Sequence, residues 1–270
     1  MTDALQEREG GVQRLAAAFR RPGRRAALMP YLMGGFPSLQ ESARIGLACA
    51  EAGAEVIELG VPYSDPLADG PVIHEAATAA LAAGASLSGV LEVARSISER
   101  VPVVLMCYAN MVFAPGVEAF VERLARTGAS GLIVPDLPLE ESAPVREACA
   151  AHGIALVPLV APTSSPQRMR AIGELASGFL YTVSVVGTTG ERAALSDSFG
   201  EIVSRAKQST SVPVAIGFGI ATPEQARQAA QAGADGVIVG TRLVRAAAEA
   251  AEPAQAVGAL VAELAAALAV

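Results

Sequence analysis

VIELGVPYSDPLADGP, residues Val56 to Pro71, runs from an apolar strand-like segment straight into a loop rich in proline, glycine and aspartate. One carboxylate, Glu58, stands among its apolar neighbours, and a second, Asp69, closes the loop. An ionisable group inside a buried strand is costly unless it is paired or used, so the rest of the chain has to account for Glu58. On an alternating strand it shares a face with Val56 and Gly60 rather than with Ile57 and Leu59, and that face can be a barrel interior.

On either side of this stretch the same apolar signal recurs. Runs begin near Ala27 (ALMPYLMG), Ala54 (AEVIELGV), Pro102 (PVVLMCYA), Gly131 (GLIVPD), Ile154 (IALVPLV), Phe179 (FLYTVS), Pro213 (PVAIGFG) and Gly236 (GVIVGT). Ala/Glu/Arg-rich stretches of helical spacing separate them. Ser38 ahead of Glu41 and Gly53 after Ala52 mark one helix; Thr222-Pro223-Glu224 and Gly233 mark another. Near-continuous apolar strands alternating with helices mean a parallel sheet covered on both faces, and eight in a row predict an α/β fold, a (β/α)₈ TIM barrel. We expect residues 1–270 to form a single domain of this kind. An extra N-terminal helix over Asp3 to Phe19 covers one end of the barrel, and Leu67 to Arg100 supplies a long loop and extra helical material after strand two.

The bulk numbers agree. Apolar residues make up 52% of the 270 and charged residues 17%, enough for a large core and too apolar for disorder. No uncharged run reaches the roughly 18 residues that a membrane span needs, and the polar stretch Thr2 to Gly10 is no secretory signal. A net charge of −7 leaves no basic face for nucleic acid, and the group Arg20, Arg21, Arg24, Arg25 reads as a solvated turn. Cys49, Cys107 and Cys149 are an odd number set among apolar neighbours, which fits a reducing cytoplasm better than a disulfide framework.

In such barrels the chemistry sits at the carboxyl ends of the strands. Glu58 is near one of these ends, where burial would raise its pKa and suit it to give and take protons. The other readings are a paired structural carboxylate or one already in solvent at the strand tip. Gly187-Thr188-Thr189-Gly190, Gly217-Phe218-Gly219 and Gly240-Thr241 follow strands six, seven and eight. Glycines there let backbone N–H groups approach an anion, which points to a phosphorylated ligand. The single lysine, Lys207, lies away from any strand end, which leaves a Schiff-base mechanism without its nucleophile. The two histidines, His74 and His152, form no metal-ligand pattern, so no metal is expected. What remains is acid/base chemistry by carboxylates on a phosphate-bearing substrate.

ELGVPYSDPLADGP closely resembles the signature of the tryptophan synthase alpha subunit family. The likeness continues in collinear order through Cys107-Tyr108-Ala109-Asn110, Val134-Pro135-Asp136-Leu137-Pro138, Gly187-Thr188-Thr189-Gly190 and Gly217-Phe218-Gly219-Ile220. The resemblance implies a barrel lyase of tryptophan biosynthesis, which cleaves indole-3-glycerol phosphate to indole and glyceraldehyde 3-phosphate. It implies no cofactor in this chain and a partner beta subunit, in an alpha2-beta2 complex, that carries pyridoxal phosphate. By the same resemblance Glu58 is the general acid/base and Asp69 the carboxylate facing the indole N–H. Tyr31, Tyr181 and Phe218 contact substrate, and Thr189 meets Asp69 when the loop after strand six closes. Gly190, Gly219, Gly240 and Thr241 hold the phosphate, with Thr241 in place of a common serine. Pro62 to Pro66 would form an exposed loop facing the beta subunit. Two alternatives stand beside this reading. One is another phosphate-binding barrel enzyme of amino-acid biosynthesis; the other is a barrel retained only to bind and activate a partner.

Overall fold

A computed structural model of the chain describes residues 10–183, 192–217 and 219–270. Among these residues nine short parallel strands form one sheet: β1 (Ala27–Met33), β2 (Ile57–Gly60), β3 (Val103–Met106), β4 (Gly131–Ile133), β5 (Ala155–Leu156), β6 (Leu159–Val160), β7 (Leu180–Val183), β8 (Val214–Gly217) and β9 (Gly236–Val239). Their order is β5-β4-β3-β2-β1-β9-β8-β7-β6. The two ends of that order are successive pieces of one run, which closes the sheet into a barrel. The sequence predicts this run, IALVPLV, as one strand; the structure divides it at Val157-Pro158 because Pro158 has no N–H to give to a ladder. Val157 N donates to Leu132 O at 2.9 Å on one side, and Pro158 O accepts from Tyr181 N at 3.1 Å on the other. The divided strand thus joins β4 to β7, and the eight expected runs become nine named strands.

Helices α1 (Gly11–Phe19) and α2 (Leu39–Glu51) flank β1, and α3 (Pro71–Ala82) and α4 (Leu87–Ser98) both lie between β2 and β3. These last two are the extra helical material read from Leu67 to Arg100. α5 (Ala109–Phe113) and α6 (Val117–Arg126) follow β3, α7 (Ala143–Ala151) follows β4, α8 (Pro166–Glu174) follows β6, and α9 (Arg192–Lys207) follows β7. α10 (Pro223–Gln231) follows β8, and α11 (Thr241–Glu249) and α12 (Pro253–Ala267) follow β9. The expected caps are in place: the Ser38 hydroxyl accepts from Glu41 N at 3.1 Å, and Thr222 and Gln225 form a reciprocal capping box. Among the described residues no single helix is long and apolar enough to cross a membrane.

Strand alternation sorts the core into two layers. Leu28, Leu32, Ile57, Leu59, Val103, Leu105, Val214 and Val237 point outward and pack under the helices. Met29, Tyr31, Val56, Val104, Ile133, Tyr181, Ala215 and Ile238 point inward and fill the barrel. Each such buried aliphatic side chain stabilises the fold by about 1.5–3 kcal/mol. The amino end of the barrel is plugged by α1: Leu15 is fully buried in the inner layer, and the Phe19 ring stands 5.4 Å from that of Phe179. The part of the expected helix before Gly10 lies outside the described residues.

Of the arginine group near the amino end, Arg20, Arg21 and Arg25 are exposed as the sequence suggests, but Arg24 is half-buried and paired. Arg24 Nε lies 2.8 Å from Glu55 Oε1, Arg21 reaches the same oxygen at 3.3 Å, and Glu55 Oε2 accepts from Leu28 N at 2.8 Å. Arg24 also donates to the carbonyls of Ala265 and Gly53, and Arg25 to Ala269 O. Glu55 is buried, and the guanidinium groups that neutralise it tie the β1 edge to the end of α12.

Candidate active site

Glu58 sits on β2, in register with Tyr31 of β1 and Val104 of β3, and its side chain faces the barrel interior as strand alternation requires. It is 1% exposed, and neither carboxylate oxygen has a hydrogen-bond partner. Buried polar groups in folded proteins are almost always satisfied, so an orphaned carboxyl marks a position kept for something other than stability. Burial pushes its pKa up to about 8, and the neighbouring Asp69 adds to the rise. At neutral pH this group therefore carries its proton and can act as an acid.

Asp69 comes to the same place from the loop after β2. Gly70 caps α3 and Pro71 takes its first turn, a position where a missing N–H costs nothing, so the chain turns immediately after Asp69. Burial raises the Asp69 pKa, while a hydrogen bond from Tyr108 and the nearby His74 in the first turn of α3 work against that rise. Tyr108 also holds the loop: its hydroxyl accepts from Ala68 N at 3.0 Å, and its ring stacks on Tyr63 with centroids 5.0 Å apart. Of the loop read as exposed, Ser64 and Asp65 are exposed, whereas Pro62 is buried and Tyr63 and Pro66 are half-buried.

Tyr31 and Tyr181 are buried on the inner face. Burial first, then the charges of Asp69 and Glu58 around Tyr31 and of Glu58 beside Tyr181, hold both phenols well above their ordinary pKa, so both stay neutral. Each ring lies over a glycine of a neighbouring strand. A Cβ at Gly60 would overlap the Tyr31 hydroxyl, and one at Gly217 would lie 2.5 Å from Tyr181 Oη. The absence of side chains at these two positions is what makes room for the tyrosines.

Tyr31, Glu58, Asp69, Tyr181, Gly219, Gly240 and Thr241 all line one cavity of about 290 Å³ at the carboxyl ends of the strands. Gly240 is the N-cap of α11 and Thr241 its first residue, and Gly219 has a φ of +83°, a conformation that favours glycine. Ile73, Met106, Ile220 and Ile238 make the apolar walls. Thr189, Gly190 and Phe218 lie outside the described residues. Lys207 on α9 pairs with Asp235 at 2.9 Å, away from this cavity, and His152 pairs with Glu118 at 3.0 Å. Among the described residues no three His, Cys, Asp or Glu side chains come together as a metal site. Tyr108, Arg242 and Arg245 also belong to this region and are not singled out as site residues by the sequence reading. Tyr108 stands in one of the recognised motifs, but its contact with Ala68 spans 40 residues and no local pattern announces it.

The arrangement can hold an apolar ligand against the aliphatic walls, with a protonated acid and the uncapped start of a helix in the same lining. That suits proton transfer on a ligand that also carries an anion.

Comparison with known proteins agrees with this geometry. The family model described as tryptophan synthase alpha chain matches residues 18–269. The tryptophan synthase alpha chain of Synechococcus elongatus is 49% identical over 230 residues, covering 84% of this chain and 86% of that one. The structure of Mycobacterium tuberculosis tryptophan synthase superposes with a TM-score of 0.87 at 41% identity, covering 95% of this chain and 98% of that chain. The structure of the tryptophan synthase a2b2 complex from Pyrococcus furiosus gives a TM-score of 0.83 at 35% identity, covering 88% and 97%. This chain, with its barrel, its inward carboxyl and its collinear motifs, belongs to the tryptophan synthase alpha chain family.

Proposed function

We propose that the chain is a lyase of tryptophan biosynthesis that cleaves indole-3-glycerol phosphate to indole and glyceraldehyde 3-phosphate. The observation that carries the reading is Glu58, a buried carboxyl with no partner and a pKa near 8, facing a cavity walled by aliphatic side chains. Glu58 protonates indole C3, and the ring becomes an iminium able to accept electrons. The bond between C3 and the glycerol chain then breaks, its electron pair returning to the ring, while the glycerol hydroxyl gives its proton back to the Glu58 carboxylate. The substrate is its own electron sink, and the acid is regenerated in one turnover. Asp69 stabilises the positive charge that develops at the indole N–H.

In the same reading Tyr31 and Phe218 contact the indole and Tyr181 the glycerol hydroxyls, and Thr189 meets Asp69 in the closed site. Gly190, Gly219, Gly240 and Thr241 take the phosphate. No cofactor is assigned to this chain. A beta subunit in an alpha2-beta2 complex receives the indole and carries the pyridoxal phosphate, and the loop from Pro62 to Pro66 contacts it. We place the protein in the cytoplasm, where its three buried free cysteines would stay reduced. The deciding experiment is incubation with indole-3-glycerol phosphate and direct detection of indole, with and without a beta subunit. Indole is expected from the parent chain and none from Glu58→Gln, which should still bind phosphate ligands. Near-normal turnover by that variant would overturn the assignment.

A further inference from the structure

Arg242 and Arg245 stand three residues apart at the start of α11, so their side chains leave the same side of the helix. Both are exposed, and both line the cavity that holds Glu58, Asp69 and Thr241. Arg44, Arg95, Arg126, Arg168 and Arg227 each face a carboxylate on their own or a neighbouring element. Arg242 and Arg245, like Arg100 and Arg146, face no carboxylate among the described residues, and of these four only Arg242 and Arg245 border the cavity. The α11 start beside them has no side-chain cap: Leu243 N donates to Gly240 O at 2.8 Å, and the N–H groups of Thr241 and Arg242, both residues of the cavity lining, have no side-chain acceptor. The orphaned Glu58 carboxyl lines the same cavity, an independent sign that the space is shaped for a ligand.

We propose that Arg242 is a substrate-binding residue whose guanidinium grips the phosphate ester, and that Arg245 completes a cationic rim drawing the dianion into the cavity. The proposal rests on the lyase reading for the identity of the phosphate ester. The backbone N–H groups of Gly240 and Thr241 and the Thr241 hydroxyl can reach one side of a phosphate but bring only the partial charge of a helix end. A guanidinium adds a full charge and two parallel donors matched to two phosphate oxygens. Because the rim is exposed, its attraction is screened by salt. The rim favours a phosphorylated glycerol chain over the same chain without its phosphate and leaves the reacting atoms untouched.

The test compares the parent chain with Arg242→Gln, Arg245→Gln, the double variant and Arg242→Lys. Three quantities are read: KM and kcat for indole-3-glycerol phosphate over a range of ionic strength, inhibition by inorganic phosphate, and inhibition by indole, which has no charge. Arg242→Gln should raise KM and weaken phosphate inhibition by roughly tenfold, as loss of a charge-assisted pair does, with kcat and indole inhibition unchanged. Arg245→Gln should have a smaller effect in the same direction, and the salt dependence of KM should flatten in the double variant. Arg242→Lys, which keeps the charge and loses the fork, should fall between. A double variant whose KM and phosphate inhibition match the parent would overturn the proposal, as would a fall in kcat at unchanged KM. If the parent makes no indole, the lyase reading fails instead, and calorimetric titration of parent and double variant with inorganic phosphate still decides the role of the rim: equal affinity overturns it.

Discussion

Replacing Glu58 by glutamine should make the protein progressively more stable relative to the parent as pH rises, while removing its proposed activity. In the fold, burial moves the Glu58 pKa from its ordinary 4.5 to about 8. Keeping the carboxylate ionised in the folded state then costs about 5 kcal/mol relative to the unfolded chain. Between the two pKa values the folded protein binds more protons than the unfolded one, so this group lowers stability progressively as pH rises through that window. Below 4.5 the acid is protonated in both states and contributes no pH dependence; above about 8 the full cost applies. Glutamine has nearly the same size and never ionises; its amide brings one more unpartnered donor than the protonated acid, a cost that does not depend on pH. Urea unfolding of parent and variant should therefore show the difference moving in the variant's favour by about 2–3 kcal/mol from pH 5 to pH 7 and by about 4 kcal/mol from pH 5 to pH 9. A difference that stays flat from about pH 5 to about pH 9 would refute the reasoning, because it would mean that Glu58 titrates alike in both states.

The same pKa predicts that kcat/KM for indole release falls as pH rises above about 8, where the acid that protonates C3 is lost; a rate that keeps rising through that range would count against Glu58 as the acid. Gly60→Ala drives a methyl group into the Tyr31 ring, whose Cζ would be 2.8 Å away, and should destabilise by about 1–3 kcal/mol with a raised KM, measured by thermal melting and steady-state kinetics. Arg24→Ala leaves Glu55, buried with its Oε1 on Arg24, short of its best partner and should cost about 3 kcal/mol in urea unfolding; a loss below about 1 kcal/mol would show that Arg21 suffices. Tyr108→Phe keeps the stacking on Tyr63 but drops the hydroxyl that accepts from Ala68, so it should lower kcat more than stability, which changes by about 1 kcal/mol; parent-like turnover would release Tyr108 from any role in setting Asp69.

Much of the fold was legible because its rules are local. Alternation along Val56 to Gly60 put Glu58 on the inner face, and Ser38, Thr222, Gly53 and Gly233 marked helix ends where the structure has them. The division of the fifth strand is also local, since Pro158 interrupts IALVPLV, although apolar continuity alone reads the run as one strand. Arg24 reads as solvated in the sequence because its partners Glu55 and Ala265 are 31 and 241 residues away, and a charge cluster looks solvated until those partners are in place. Arg242 and Arg245, which line the cavity, and Tyr108, which holds the Asp69 loop, are silent in the sequence for the same reason: nothing in their immediate neighbours announces these distant contacts.

By itself the sequence determined which side of each strand faces inward, where helices start and stop, and that two carboxylates and the glycines Gly217, Gly219 and Gly240 lie at or just after strand ends. Side-chain period, capping and turn chemistry depend on a few adjacent residues, and the motifs name their family directly. Only the tertiary structure decided that Glu58 lacks a hydrogen-bond partner and that its pKa lies near 8. It also brought Asp69, two tyrosines and the start of α11 around the same cavity. Desolvation and missing partners are sums over everything that surrounds a group, contributed here by strands and helices more than a hundred residues apart, and no short stretch of chain contains them.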